Sequence, residues 1–359
     1  MSFWKKLRAE VPGAFLAALA LGGGFLLFVA WDQSHWWRVK QDYQFGWLVP
    51  ALVGFVIYDR WPRILAALGA CAAEGSPRVA GWQKWTLGTL VGLTMAFGAL
   101  MFLLGSFYRA GAGTSQPGTL AITMGAVAIL LPLLWINAPE PGFTGSGTRD
   151  HGPEIGGLQP ANAGGVLADA RWRLAGLFVF PVMVWLVSAP MVSAIESQIS
   201  LFLLRQVVTV VAFVFVDVLG LPIEQQGNVL ALPGGNVGVE DACSGIRSLT
   251  ASLFAGSFLA AVFLEKIWKK VTLVVVSMVF VFLANLGRSL FLTAWAYHKG
   301  PRAIEGAVHD VAGYGVLGVT FGGLVALVWV LNLKLTPEKI PPRAELEEMA
   351  TKPGADLLR

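Results

Sequence analysis

Eight runs of apolar residues, most of them roughly 20 long, set the terms for this chain: 11–31, 47–58, 85–107, 120–136, 172–189, 245–264, 271–295 and 311–333. A helix rises about 1.5 Å per residue, so roughly 20 residues cross a hydrocarbon core about 30 Å thick. Charge agrees, since 13% of the residues are charged where a soluble domain carries about 25%. The expected fold class is therefore an all-α polytopic membrane protein with about eight transmembrane helices plus one interfacial or re-entrant helix. Trp31, Trp36, Trp37, Trp47, Trp61, Trp85, Trp135, Trp172 and Trp295 cluster at run ends, as an interfacial aromatic belt would place them. The net charge of +4 is no nucleic-acid signature, because basic residues in such a chain report orientation first.

The first run follows a basic start (Lys5, Lys6, Arg8) but ends in Phe28-Val29-Ala30-Trp31 without a small-x-small cleavage site, so it reads as an uncleaved first helix. The segment 195–219 is apolar enough to span, yet carries Glu196, Gln198, Arg205, Gln206 and Asp217. If it lies along the surface or dips and returns, the chain crosses eight times and places 18 Lys and Arg inside against 6 outside. If it crosses, the count becomes 10 inside and about 12 outside, against the positive-inside rule. Eight crossings are expected, with both termini cytoplasmic.

One transmembrane domain is expected over 1–335, interrupted by a Gly/Pro-rich cytoplasmic loop at 138–170 and followed by a cytoplasmic tail at 336–359. Gly22-Gly23-Gly24 reads as a site of close helix packing. The sequence shows no phosphate-binding glycine loop, Cys/His metal spacing or internal repeat, so neither cofactor nor metal is expected. Cys71 and Cys243 fall on opposite sides of the bilayer, and no disulfide is expected between them.

The chemistry concentrates in Val239-Glu240-Asp241-Ala242-Cys243-Ser244-Gly245-Ile246-Arg247-Ser248-Leu249, a short polar stretch that opens into an apolar run. Helix rise gives depth. Cys243 lies 23 residues before Lys266, Arg288 18 after Lys270, and His309 25 before Lys334. These separations put the three at about 34, 27 and 37 Å from the inner face, all near the outer boundary. A thiol attacks as thiolate, favoured at a helix N-terminus and beside Arg or His. His309 could take the thiol proton and return it to a leaving amine, while Arg288 could hold an oxyanion or a substrate carboxylate.

Plainer readings stand beside these. Cys243 could be a core filler, and Arg288 could sit in an ion pair with Glu240 or Asp241. Arg247 could pair with Asp241, and His298 is the rival base. Ser244 and Asn285 complete the supporting candidates.

Ala242-Cys243-Ser244-Gly245-Ile246-Arg247-Ser248, then Asn285-Leu286-Gly287-Arg288, then His309-Asp310 followed by Gly313, resemble the exosortase/archaeosortase family of membrane transpeptidases. Asp42-Tyr43-Gln44-Phe45-Gly46-Trp47-Leu48-Val49-Pro50 resembles that family's first outer loop. The resemblance implies Cys243 as nucleophile, Arg288 as essential arginine and His309 as its histidine. The implied partners are secreted proteins with a C-terminal tail of short signature, membrane helix and basic end, together with membrane lipid. The acyl group would pass to a glycan- or lipid-linked acceptor at the periplasmic face, in bacteria that make extracellular polysaccharide. Two rivals remain: a transporter or polysaccharide-export component with Arg288 in a permeation path, and a lipid-modifying membrane enzyme.

Overall fold

The computed structural model of the chain describes residues 11–73, 76–79, 81–142, 169–238 and 246–333. Nine α-helices occupy most of these residues. They are α1 (Gly13–Val39), α2 (Val49–Ala72), α3 (Trp82–Ala112), α4 (Gln116–Ile136), α5 (Arg171–Ser188), α6 (Ser193–Phe213), α7 (Ile246–Phe263), α8 (Ile267–Lys299) and α9 (Ala307–Asn332). A 3₁₀ turn (Gln41–Leu48) joins α1 to α2, and another (Pro301–Ile304) joins α8 to α9. The tail at 336–359 and the loop interior at 143–168 lie outside the described residues.

Polar contacts sort the helix ends into two faces of the bundle. At one, here the upper face, Trp37 Nε1 donates to the Ser188 carbonyl at 3.2 Å, and the Met191 amide donates to the Tyr43 phenol oxygen at 3.0 Å. Lys40 pairs with Glu196 at 2.5 Å, and the Ser193 hydroxyl meets Gln116. At the lower face the Gly142 amide donates to the Ala72 carbonyl at 2.8 Å, and Asn332 Nδ2 to the Phe263 carbonyl at 3.2 Å.

By length and composition, seven described helices could cross a membrane, and α6 with its extension to Val218 is one of them. Position decides otherwise for α6. Its first turn is held at the upper face by Lys40. Its last residues end with Phe215 facing Tyr297, ring centroids 6.5 Å apart, near the upper end of α8. Between them Leu204, Val207, Val208 and Val211 pack in one cluster with Phe282, near the middle of α8, and with Leu286 and Leu290 of its C-terminal half. Both ends of α6 thus sit at one face, while α1–α5 and α7–α9 run from face to face in eight passes.

Two of these passes are shorter or more polar than the length criterion allows. The second expected span, 47–58, in fact continues as α2 to Ala72 through Asp59, Arg60 and Arg63. A charge in a helix interior in lipid needs partners such as backbone carbonyls. Arg60 satisfies this: it is 7% exposed and donates to the Leu177 carbonyl at 2.6 Å and the Ala261 carbonyl at 2.9 Å. Close approach fixes α3 against α4. A side-chain carbon on Gly105 would meet the Gly118 carbonyl at 2.8 Å, and one on Gly98 the Gly125 carbonyl at 2.9 Å. Of Gly22-Gly23-Gly24, only Gly22 meets a neighbour, Leu130.

Two of the tryptophans at run ends are packed inside the bundle. Trp37 is 1% exposed and bonded as above, and Trp135 lies beneath the Arg171 guanidinium at 3.5 Å. Arg171 also grips Asp169, which takes Arg78 as a second partner and the Val79 amide as a further donor. Burial would raise the Asp169 carboxyl, but the Arg171 side-chain and backbone donors outweigh it and hold the pKa at about 2. This knot, with Ala170 N donating to the Pro77 carbonyl at 3.1 Å, fastens the two described ends of the 138–170 loop to the α2–α3 connection.

One feature departs from an all-helical reading. Between α6 and α7 the chain forms a small antiparallel sheet, β1 (Glu224–Gln226), β2 (Val229–Leu232) and β3 (Gly235–Gly238), in the order β1-β2-β3. It stands at the upper face, where Leu232 and Val237 pack on Ala296 of α8.

Candidate active site

The 33-residue helix α8 is longer than its neighbours, and its upper turns stand beside the sheet as a wall. Arg288 sits below those turns. Asn285, one turn earlier, is 2% exposed, and its carbonyl accepts from the buried Ser289 hydroxyl at 3.1 Å. The return to α9 is short. Gly300 (φ +88°) and Gly306 (φ +65°) adopt left-handed backbone that other residues resist, and they fold the chain back through the 301–304 turn. His309, in the first turn of α9, thereby comes to Arg288.

Arg288 Nη2 lies 2.9 Å from His309 Nε2 and 3.5 Å from the His309 carbonyl. A guanidinium has donors and no acceptor, so Nε2 must be the acceptor. The imidazole in this arrangement is therefore neutral, with its proton on Nδ1. Arg288 Nε is buried and meets no partner among the described residues, which leaves one charged donor for something else. Gly313, one turn below His309, lets the guanidinium lie against α9: a side-chain carbon there would sit 3.6 Å from Nη2.

Beside this pair opens a cavity of about 350 Å³. Its polar lining comes from Asn236 and Gly238 of β3, Ser289 and Thr293 of α8, Glu305, and His309. The size falls within the range of small-ligand pockets, about 300–1,000 Å³.

The first turn of α7 arrives at the same face. Arg247 Nε donates to Asp42 Oδ1 at 2.9 Å, and the Thr250 hydroxyl to the Asp42 carbonyl at 3.3 Å. Phe45 stacks on Phe254 with centroids 4.9 Å apart. Arg247 thus meets Asp42, 205 residues away, while Asp241, the partner offered by the sequence, lies outside the described residues. Tyr43, in the same turn, keeps its proton: burial, against the Met191 hydrogen bond and with Glu196 and Asp42 adding, pushes it up to about 12.

The structure therefore brings Arg288, His309 and Asn285 to one end of the bundle with Arg247. Glu240, Asp241, Cys243 and Ser244 lie outside the described residues. His298 is exposed against Tyr297, ten residues and about 15 Å along α8 from Arg288. It is not part of this site. Ser289, Thr293, Asn236 and Glu305 were not singled out from sequence, since a hydroxyl in an apolar run carries no signal of its own. Among the described residues no three His, Cys, Asp or Glu side chains are grouped as a metal site.

A family model described as transmembrane exosortase matches residues 36–326. The chain belongs to the transmembrane exosortase family. The match begins at the upper end of α1 and takes in the Asp42 turn, Cys243, Arg288 and His309, stopping within α9. Neither a curated protein nor a solved structure gives a match.

The Gly313 contact tests the geometry of this exosortase site. Gly313→Ala adds a carbon at ordinary van der Waals distance from Arg288 and is expected to be mild. Gly313→Leu drives the guanidinium off His309, and misplacement of about 1 Å at a reacting centre can cost about a hundredfold in rate. Enzyme in the membrane at normal level with lost activity is the expected result; full activity for the leucine variant would separate the Arg288–His309 contact from function.

Proposed function

We propose that this chain is a membrane-embedded cysteine peptidase and transpeptidase. It cleaves secreted proteins at a C-terminal sorting tail on the periplasmic face of the bacterial inner membrane, with both its own termini in the cytoplasm. The observation that carries the reading is the Arg288–His309 contact beside a polar cavity whose wall includes Gly238. Cys243 follows Gly238 by five residues in the chain and precedes α7 by three.

The steps need only this chain's groups and a peptide. The Cys243 sulfur loses its proton to His309, whose Nε2 lone pair becomes available as the guanidinium moves from the ring to the substrate. The thiolate adds to the scissile carbonyl, and Arg288 donates to the oxyanion. The C–N bond then breaks, the proton on His309 goes to the leaving amine, and a thioester to Cys243 remains. An amine, a glycan- or lipid-linked hydroxyl, or water attacks that thioester and restores the thiol.

The test is processing of a tail-bearing reporter, a secreted protein of the same cell ending in a short signature, an apolar helix of about 20 residues and a basic end. Cys243→Ala is expected to leave full-length precursor in the membrane at normal enzyme levels, while wild type yields a shortened product whose mass identifies the acceptor. Unchanged processing by Cys243→Ala would remove the thiol mechanism and bring the transport reading forward.

A further inference from the structure

The small sheet has two edges, and they differ. β1 presents Glu224-Gln225-Gln226, exposed and polar with a charge at its start. Such residues blunt an edge against pairing with other chains. β3 presents Gly235-Asn236-Val237-Gly238, uncharged and half glycine. Glycine in a strand is a frequent mark of close approach by another backbone. The turn end of the hairpin leans on Pro301, whose Cγ would lie 3.3 Å from a side-chain carbon on Gly235. At the other end no atom of the described residues lies within 4 Å of where a side-chain carbon on Gly238 would stand.

Register says which backbone groups face outward. Alternate residues of an antiparallel pair aim both their N–H and C=O at the partner strand. The two-residue turn closes on Leu232 opposite Gly235, which makes that the first bonded pair and Leu230 opposite Val237 the next. Asn236 and Gly238 therefore turn their N–H and C=O away from β2. Among the described residues no strand lies along that side. Both residues line the cavity that also contains Ser289, Thr293 and His309.

We infer that the free edge of β3 is a docking strand: an extended peptide segment adds to it as a fourth strand, bonding to Asn236 and Gly238, and is thereby laid through the cavity past His309. The inference rests on the peptidase reading for the nature of its occupant, the signature segment of a secreted protein. Strand addition takes affinity from main-chain bonds and specificity from pockets for alternate side chains. Scissile amides are recognised most readily in extended form, since a helix hides its carbonyls in its own bonds.

Proline provides the test, because it deletes one N–H and leaves the rest of a strand edge in place. Asn236→Pro removes an outward donor at the cavity, and Gly238→Pro removes the next. Gln225→Pro makes the same lesion on the outer edge of β1, where Gln225 faces away from β2 by the same alternation. The reporter carries a photoreactive phenylalanine analogue in its signature, and full-length enzyme in membranes is scored both for processing and for the position of the crosslink. The expected result is a crosslink on residues 235–238 in wild type and processing slowed about tenfold or more by Asn236→Pro, on the scale of one lost hydrogen bond to a positioned substrate. Gln225→Pro should stay within about twofold of wild type.

Asn236→Pro processing as well as Gln225→Pro, with crosslinks elsewhere, overturns the docking strand and leaves the peptidase reading standing. A crosslink on 235–238 that is lost in Asn236→Pro, without cleavage by wild type, supports the strand and removes the peptidase. Neither crosslink nor cleavage removes both. If Asn236→Pro fails to accumulate, Gly238→Pro and the wild-type crosslink decide.

Discussion

Arg288→Ala is expected to reduce reporter processing by about a thousandfold, the upper range for removing one preorganised donor to a developing oxyanion. The loss should appear with enzyme present at normal level. Alanine takes a charge out of the membrane interior, so the fold loses no partner of an opposite buried ion. Arg288→Lys should recover little. The guanidinium uses its planar fork, with Nη2 on His309 and Nε left for another acceptor. An ammonium is a single strongly hydrated point charge that cannot hold both directions at once. The measurement is the first-order rate of precursor loss for wild type, Arg288→Ala, Arg288→Lys and His309→Ala, normalised to membrane-inserted enzyme. Lysine restoring wild-type rate would mean that only positive charge is needed at this depth. Alanine retaining the rate would make Arg288 a packing residue.

The meeting of Arg288 with His309 was legible before any coordinates, because helix rise from the flanking basic clusters fixes depth and both residues came out near one boundary. Depth cannot give azimuth. Which faces of α8 and α9 meet depends on packing, and Gly313, which the sequence offered only as part of a family resemblance, is where the guanidinium lies against α9. The helical membrane character was legible for a similar reason, since long apolar runs announce spanning helices even where hydropathy alone leaves the role of α6 open. What escaped was whatever depends on a partner far along the chain. Arg247 meets Asp42, which the sequence did not offer as a partner, and no periodicity links positions 205 apart. The end of α2 escaped because Asp59, Arg60 and Arg63 break an apolar run, and only the bundle supplies the carbonyls that make Arg60 acceptable there. The sheet escaped because its strands are three and four residues long, too short for alternation to show, and β1 is exposed at every position.

Arg60→Ala is the substitution expected to cost most in stability. Pro181 lies inside α5 and has no N–H, so the carbonyl four residues earlier, at Leu177, loses its helical donor. Ala261 stands in the last turn of α7, where carbonyls have no intrahelical donor either. One guanidinium meets both orphans and ties α2 to α5 and α7. Within a bundle in lipid no water replaces it. Each stranded carbonyl costs about 1–3 kcal/mol, so alanine should lose roughly 2–6 kcal/mol. Thermal or denaturant unfolding of the purified protein in detergent measures this.

A second change isolates the cause. Pro181→Ala restores a donor to Leu177, so it should recover part of the loss in the Arg60→Ala background while doing little for wild type, where Arg60 already holds that carbonyl. A coupling of about 1 kcal/mol or more between the two sites is the expected result for groups sharing one acceptor. Additive effects would show instead that Arg60 and Pro181 act separately and that the loss at residue 60 is packing alone. The same pair of variants bears on the site above. Arg60 braces α5 and α7 against α2, and α7 begins three residues after Cys243. A staple in the lower half of the bundle thus holds the helix from which the proposed nucleophile is presented, and loosening it should slow processing in proportion to the stability lost.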